Sequence, residues 1–131
     1  MSPFKNNSVF TETLNRAETF IQSLKQEERE TSYAMIANLM TLPHPKQLVE
    51  IVDKTNRLWE VRGSTKDFWI RMFWFWHKSP FEANSKIVIT NGYLKKENKT
   101  DPDEIKLAVR IKNAYEAMRI EEYKRMKKDH K

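Results

Sequence analysis

The sequence contains no cysteine and only three histidines. Without cysteine, neither a disulfide framework nor a thiolate zinc site can form. His44, His77 and His130 are scattered along the chain, which disfavours a catalytic metal site, so we expect no metal or other cofactor. The lack of disulfide chemistry predicts an intracellular protein.

The chain also lacks a long apolar run. The segment Met1–Phe10 carries Lys5, Asn6 and Asn7 where a signal peptide needs an unbroken apolar stretch, and no later segment approaches the length of a membrane span. With 131 residues, of which 39% are apolar, one domain with one core is expected. We therefore predict a single cytoplasmic domain over residues 1–131 with no membrane partner.

Positive charge is present in excess and is unevenly distributed. The net charge is +6, and residues 57–100 alone hold nine basic and four acidic residues. Such a concentration attracts phosphate groups by its field and by counterion release, so RNA, DNA or an acidic protein is the expected ligand. A merely solvated surface is the alternative, but the aromatic residues in the same segment favour binding.

Two helices are predicted in the first third of the chain. Apolar residues recur every three or four positions over Thr13–Leu24 and over Glu27–Met40, which is typical of an antiparallel pair of amphipathic helices. The residues before them are compatible with a short strand near Val9 and Phe10. Pro43–Thr55 holds no lasting period and is predicted to be an irregular connector.

Three segments rich in β-branched and aromatic residues predict an antiparallel meander: Leu58–Arg62, Asp67–His77 and Lys86–Asn91. Gly63-Ser64 and Ser79-Pro80 are the turn signals between them. The middle segment is apolar at almost every position, which indicates a central strand covered on both faces. Alternation places these residues on one face: Trp69, Arg71, Phe73, Phe75 and His77. It places these on the other: Phe68, Ile70, Met72, Trp74 and Trp76.

A long final helix follows the strands. Asp101 can cap it, Pro102 suits its first position and Glu104 can close a capping box. From about residue 120 the sequence is almost wholly charged, and this tail is expected to project into solvent or to fray. The predicted fold class is α+β: two N-terminal helices, an antiparallel sheet of three to four strands and a C-terminal helix.

Five basic residues are candidates for phosphodiester chemistry: Arg62, Arg71, Lys95, Lys96 and Lys99. Cleavage of RNA through its 2′-hydroxyl needs a base, cations that stabilise the pentacoordinate phosphate, and a proton donor for the leaving oxygen. Arginine suits the second role because its fork grips phosphate oxygens. A lysine among other cations can trade protons because its ammonium form is disfavoured.

Each of these assignments has a structural alternative. The lysines alone could form a solvated loop just beyond the third strand. Arg71 could pair with an acid such as Glu60, in which case its removal would destabilise the fold, whereas a phosphate-binding Arg71 would leave stability nearly unchanged. An arginine inside an apolar strand favours a task or a partner, because desolvating a lone charge is costly.

Aromatic residues lie among these cations, and unpaired RNA bases stack on such rings. Aromatics at strand spacing usually form core, however, and this assigns four of them to the interior. These four are Trp59, Trp69, Phe73 and Phe75. Tyr93, at a strand end beside the lysines, is the stacking candidate. His77 is a second candidate RNA contact, with a structural role as its alternative, and His44 is expected to be structural.

Three segments occur in a specific order: LWEVR at Leu58–Arg62, IRMFWFW at Ile70–Trp76, and IVITNGYLKKENKTDPDEI at Ile87–Ile105. This order resembles the HigB-type, phage Gp49-related branch of the RelE toxin superfamily. That family's pattern is a strand ending in E-L-R, an arginine among aromatics in the next strand, and a strand leading to H-G-F-x-K-K-x-x-K-T-P. Asn91, which cannot act as an acid or base, stands in place of the family's frequent histidine, and Tyr93 in place of its phenylalanine.

The resemblance implies a toxin that enters the ribosomal A site and cuts translated mRNA. It also implies a cognate antitoxin, often a helix-turn-helix protein, that holds the toxin inactive. Carried over by position, Arg62 and Arg71 would bind and stabilise phosphate. Lys95, Lys96 and Lys99 would grip mRNA or ribosomal RNA, with one lysine transferring a proton.

Two alternative functions stay open. A ParE-like toxin shares the fold but inhibits gyrase instead of cutting RNA, and fold alone does not separate the two. The K-K-x-x-K-T run favours the nuclease. A non-catalytic module that binds RNA or an acidic protein is the other alternative, and Asn91 is the residue that supports it.

Overall fold

A computed structural model describes residues 9–78, 85–95 and 100–129. These residues form five strands and three helices. In chain order the elements are β1 (Thr11–Thr13), α1 (Asn15–Gln22), α2 (Gln26–Leu39), β2 (Val49–Asp53), β3 (Leu58–Ser64), β4 (Trp69–His77), β5 (Lys86–Lys95) and α3 (Pro102–Asp129).

The strands form one mixed sheet in the order β1-β5-β4-β3-β2. β1 runs parallel to β5, and every other neighbouring pair is antiparallel. One face packs against α1 and α2, where Ile21 and Leu39 contact the strand residues Ile70 and Trp74. The other face packs against α3, where Ala108 lies against Phe73. The result is a three-layer α+β fold with the sheet in the middle.

β4 is the central strand, as its apolar run predicts. Ile70, Met72 and Trp74 face α1 and α2, whereas Phe73 and Phe75 face α3. The predicted two-faced burial of this strand is therefore confirmed. It follows from period-two alternation in a strand whose neighbours on both sides are also strands.

The predicted sheet was too small. The strand predicted near Val9 and Phe10 is β1 at Thr11–Thr13, and β2 lies inside Pro43–Thr55, which was predicted to be irregular. The two helices consequently lie between β1 and β2 rather than ahead of the whole sheet. Both β1 and β2 are edge strands that are held by pairing to one neighbour, and β2 was missed because its short, half-buried sequence carries a weak alternating pattern. The prediction of a purely antiparallel sheet is wrong, because β1 runs parallel to β5.

Gly63 lies inside β3 and not in the turn that Gly63-Ser64 predicts. A methyl group added at Gly63 would come within 2.9 Å of Met35 Cγ and 3.3 Å of Thr31 Cγ2 on α2. A glycine is needed here because the backbone of β3 and the side chains of α2 approach closely. The turn to β4 follows one residue later, where the Thr65 backbone N–H donates to Phe68 O over 2.8 Å.

The start of α3 confirms Asp101 as its cap, because Asp101 Oδ1 accepts from the Asp103 backbone N–H over 2.9 Å. The capping box with Glu104 is wrong. The Asp101 backbone N–H donates to the Tyr93 hydroxyl over 2.8 Å, and Glu104 Oε1 instead accepts from Asn91 Nδ2 over 3.4 Å. Both contacts connect the start of α3 to β5 and so fix the helix against the sheet.

None of the helices in the described ranges has an apolar stretch long enough to cross a membrane.

Candidate functional site

The predicted site residues on β3 and β4 share the sheet face that α3 partly covers. Arg62 pairs directly with Arg71 across β3 and β4, and Arg71 pairs with Tyr93 on β5. Directly paired residues of neighbouring strands point to the same face. Glu60, two residues before Arg62 on β3, points to that face as well. The register thus brings two arginines and a carboxylate together, as adjacent antiparallel strands were expected to do.

Glu60 is the centre of this cluster, although its side chain is only 2% exposed. Arg71 Nε lies 3.4 Å from Glu60 Oε1, and Arg62 Nε lies 3.6 Å from Glu60 Oε2. The Thr100 hydroxyl lies 3.0 and 3.1 Å from the two carboxylate oxygens and donates to them. A buried carboxylate needs partners of this kind to offset the cost of its burial. Glu60 in turn orients the side chains of both arginines.

The two arginines differ in their access to solvent. The Arg62 side chain is 32% exposed and bridges from Glu60 to Glu50, with Nη2 2.6 Å from Glu50 Oε2. The Arg71 side chain is 3% exposed, and its Nη1 donates to the Ile70 carbonyl over 3.2 Å. The structure therefore favours the ion-pair interpretation of Arg71 over direct phosphate contact. Arg62 is the arginine that an incoming phosphate can reach.

Lys95 was predicted to lie just beyond the third strand, with a solvated loop as the structural alternative, and both placements are wrong. β5 extends to Lys95, which pairs with Trp69 on β4 and is 8% exposed. Its Nζ has no hydrogen-bond partner among the described residues. Burial lowers the pKa of Lys95, and the positive charge of Arg71 adds to this effect while Glu60 opposes it. A lysine in this environment gives up its proton more readily than a solvated one.

The two other predicted contacts differ in position: Tyr93 lies on the same face as the cluster and pairs with Arg71, whereas His77 lies at the far end of β4. The ring of Tyr93 stacks on Phe73 with centroids 6.0 Å apart, and its hydroxyl accepts from the Asp101 backbone N–H. His77 lies six residues along β4 from Arg71, about 20 Å away at the usual rise of a strand. His77 packs edge-on against Phe75 and Tyr115, so the structure does not bring it to the cluster. Lys96 and Lys99 lie outside the described residues.

Asn91 has a visible structural task. The register of β4 and β5 shifts between Met72 and Trp74, so Thr90 and Asn91 together face Phe73 as a bulge. The Thr90 hydroxyl donates to Asn91 Oδ1 over 2.6 Å, and Asn91 Nδ2 donates to Glu104 on α3. Asn91 is 1% exposed and helps to hold β5 to α3.

Sequence reasoning missed Thr100, which donates to Glu60, and placed Trp69 in the core. The sequence carries a weak signal for Thr100, since this residue comes directly before the helix cap and so lies near the sheet. It carries no signal for the exposure of Trp69, because alternation assigns a residue to a face but does not say how far a helix covers that face. Trp69 is 38% exposed.

A groove of about 950 Å³ lies between α1, β5 and the start of α3, with Tyr93 among its lining residues. It is lined by both signs of charge, including Arg16, Lys25 and Glu104, and by none of the three clustered cations. Nowhere in residues 9–78, 85–95 and 100–129 do three His, Asp or Glu side chains come together as a metal site would need. Of the five basic residues predicted for the site, Arg62, Arg71 and Lys95 lie on this face within the described residues.

A family model described as "Phage derived protein Gp49-like (DUF891)" matches residues 19–113 of the chain. The chain belongs to this family. The match runs from α1 into α3 and includes every clustered residue named above. The family belongs to the RelE/HigB-type toxin group, so the resemblance drawn from the sequence is confirmed at the level of the family. A search of curated proteins finds no match.

Proposed function

We propose that this Gp49-like protein is the toxin of a toxin–antitoxin pair and an endonuclease that cleaves messenger RNA on the ribosome. The observation that carries the proposal is the buried Lys95 Nζ, which has no hydrogen-bond partner among the described residues and lies on the same face as Arg62 and Arg71. Burying an amine without a hydrogen-bond partner lowers the stability of the fold, and such destabilised charged groups are typical of reactive sites.

The charges of the cluster suit a phosphodiester. Arg62, Arg71 and Lys95 contribute three positive charges, and Glu50 and Glu60 two negative ones, when all are ionised. The cluster is neutral overall while Lys95 is a free amine, and it gains one positive charge when Lys95 takes up a proton, as negative charge develops on the phosphate. The pentacoordinate transition state carries more negative charge than the ground state, so preorganised cations stabilise it selectively.

The residues divide the reaction as follows. Lys95 first releases its proton to solvent, which its lowered pKa favours, and its side chain turns outward from the buried position. The neutral amine then accepts the proton of the 2′-hydroxyl, whose oxygen attacks phosphorus. The bond from phosphorus to the 5′-oxygen breaks, leaving a 2′,3′-cyclic phosphate and a 5′-hydroxyl. Arg62 grips the non-bridging oxygens with its fork, and the buried Arg71 adds positive potential from behind. Lys96 and Lys99 are the sequence-based candidates for protonating the leaving oxygen and holding the strand.

The family also suggests an antitoxin as the partner. An antitoxin that blocks this site would have to cover a basic surface, and a helix-turn-helix protein with an acidic face would meet that requirement. The other proposed partners are the ribosome and the mRNA that it translates.

The test is to incubate the purified protein with translating ribosomes and to map new RNA ends, with supercoiling by gyrase assayed in parallel. We expect cuts within the translated frame that carry cyclic phosphate ends, and no effect on gyrase. Inhibited gyrase with intact mRNA would instead identify a ParE-like toxin. RNA binding without cleavage would identify the non-catalytic module. In cells, expression alone should arrest growth and co-expression of the neighbouring gene should relieve the arrest.

A further inference from the structure

Two tryptophans of β4 are equally exposed but lie on opposite faces of the sheet. Trp69 and Trp76 are each 38% exposed. Trp76 lies on the face of α1 and α2, where its ring contacts Trp74 and stacks with His44. Trp69 lies on the other face, with Arg71 and Lys95. The chain therefore contains an exposed indole beside the candidate site and a matched one away from it.

The ring of Trp69 is bounded by polar and charged neighbours. Trp69 is paired with Ser64 on β3 and with Lys95 on β5. Side chains of directly paired residues have Cβ atoms only about 5 Å apart. The Arg71 guanidinium carbon lies 5.3 Å from the Trp69 ring centroid, a cation–π contact that holds the ring against the sheet. The partly exposed indole is thus in contact with Arg71 and lies on the strand position next to Lys95.

Trp69 does not belong to the buried core. The three hydrophobic clusters of the described residues do not include it. α3 covers this face over Phe73 and Phe75 but leaves Trp69 uncovered. A single exposed apolar side chain is ordinary by itself. An exposed indole fixed by one cation and adjacent to a second is the arrangement that binds unpaired bases.

We propose that Trp69 is the stacking platform for an unpaired base of the RNA, one nucleotide from the phosphate that lies over Arg62 and Lys95. The inference rests on the proposed nuclease function and adds to it the residue that orients the strand. Trp69 takes the place that sequence reasoning gave to Tyr93, whose ring is packed on Phe73. Because every base has a π-face, the platform holds the RNA without strong base preference.

The experiment uses programmed ribosomes whose mRNA carries 2-aminopurine next to the mapped cleavage site. A 2′-deoxy nucleotide at the attacking position blocks the reaction, so binding is measured alone. Stacking on an indole quenches 2-aminopurine fluorescence. Trp69→Ala should abolish the quenching and weaken binding by about 5- to 100-fold, the usual loss for one stacked base. Trp69→Phe should restore most of both, and the matched control Trp76→Phe should change neither.

The outcomes separate this inference from the function on which it rests. If the unsubstituted protein cleaves mRNA while Trp69→Ala binds and quenches as before, the platform is overturned and the nuclease stands. If Trp69→Ala weakens binding only in proportion to a loss of folded protein in thermal melts, and Trp69→Phe does not rescue it, Trp69 is structural and the platform is again overturned. If the unsubstituted protein neither binds nor cleaves, both proposals fail.

Discussion

Arg71 and Glu60 form a buried ion pair across β3 and β4, with Arg71 Nε 3.4 Å from Glu60 Oε1 and both side chains at most 3% exposed. Breaking such a pair by removing one partner leaves an uncompensated charge in the interior. Replacing both partners by apolar residues avoids this cost, so the two kinds of variant should behave differently.

Arg71→Ala should therefore lower the free energy of unfolding by about 3–5 kcal/mol. The double variant Arg71→Met with Glu60→Leu should recover much of that loss, although Thr100 then loses its acceptor. Urea denaturation of Arg71→Met, of Glu60→Leu and of the double variant gives the coupling energy. Arg62→Ala is the control: it removes an exposed ion pair with Glu50 and leaves Glu60 its closer partners Arg71 and Thr100, so it should cost about 1 kcal/mol or less. Equal losses for Arg71→Ala and Arg62→Ala would contradict the assignment.

Lys95 should lower the free energy of unfolding. Its Nζ is buried without a hydrogen-bond partner among the described residues, so Lys95→Met should raise the free energy of unfolding by about 1–3 kcal/mol near neutral pH. The same substitution should abolish cleavage, because methionine cannot accept a proton. A variant that is both more stable and inactive indicates a residue kept for function. A destabilised Lys95→Met would show instead that Lys95 holds the fold together.

The pH dependence of that stability gain has a definite sign. Burial and Arg71 lower the pKa of Lys95 in the folded state below its ordinary value of 10.5, which the unfolded chain retains. Below the folded-state pKa, the ammonium is charged in both states and its full burial penalty applies. As pH rises through the folded-state pKa, the folded protein releases the proton first and the penalty declines. The advantage of Lys95→Met over the unsubstituted protein should therefore shrink in alkaline solution, as measured by urea denaturation across the range.

The position of Lys95 inside a strand could not be predicted from the sequence. The sequence of β4 is sufficient to predict both its burial and its two faces. Nearly every residue is apolar, which predicts burial, and alternation assigns each residue to one face. Lysines after a glycine are typical of a loop, but the pairing of Lys95 with Trp69 extends β5 as far as Lys95. The ion pair of Arg71 was foreseen as an alternative, since Glu60 lies on the adjacent strand. Which alternative holds depends on strand register, and the sequence does not specify that register.

A second polar cluster, far from the candidate site, should govern acid stability. Glu12 on β1 lies 2.8 Å from Lys86 Nζ and accepts from the Tyr115 hydroxyl on α3. Burial acts to raise the pKa of Glu12, but its bonds to Lys86 and Tyr115 outweigh burial and lower it. A lowered folded-state pKa contributes stability above the unfolded pKa, and this contribution is lost as pH falls through the folded value.

Glu12→Gln should accordingly lower the urea midpoint at neutral pH. The difference from the unsubstituted protein should disappear once the solution is more acidic than the folded-state pKa of Glu12. Glu18→Gln is the matched control, because Glu18 lies on the exposed side of α1, where Gln22 is its hydrogen-bond partner. A midpoint difference that persists unchanged into acid would show that Glu12 contributes by packing instead of by charge.

Arg62 is the arginine that should bind the scissile phosphate, because it combines solvent access with anchoring by two carboxylates. Arg62→Ala should reduce single-turnover cleavage by about 10²- to 10³-fold, the usual loss for one preorganised charge-stabilising donor. Arg62→Lys keeps the charge but loses the planar fork, so it should recover only part of the rate. Arg57→Ala, which removes an exposed cation from the turn before β3, is the control and should leave the rate unchanged.

Salt dependence gives an independent measure of the same contact. Each phosphate that a cation neutralises releases counterions, so the affinity for mRNA should fall steeply as salt rises. Arg62→Ala should flatten this dependence by about one phosphate, whereas Arg57→Ala should leave the slope alone. If cleavage falls in Arg62→Ala while the salt slope does not change, Arg62 acts by positioning Glu60 and not by binding phosphate. In that case the phosphate lies over Lys95 alone.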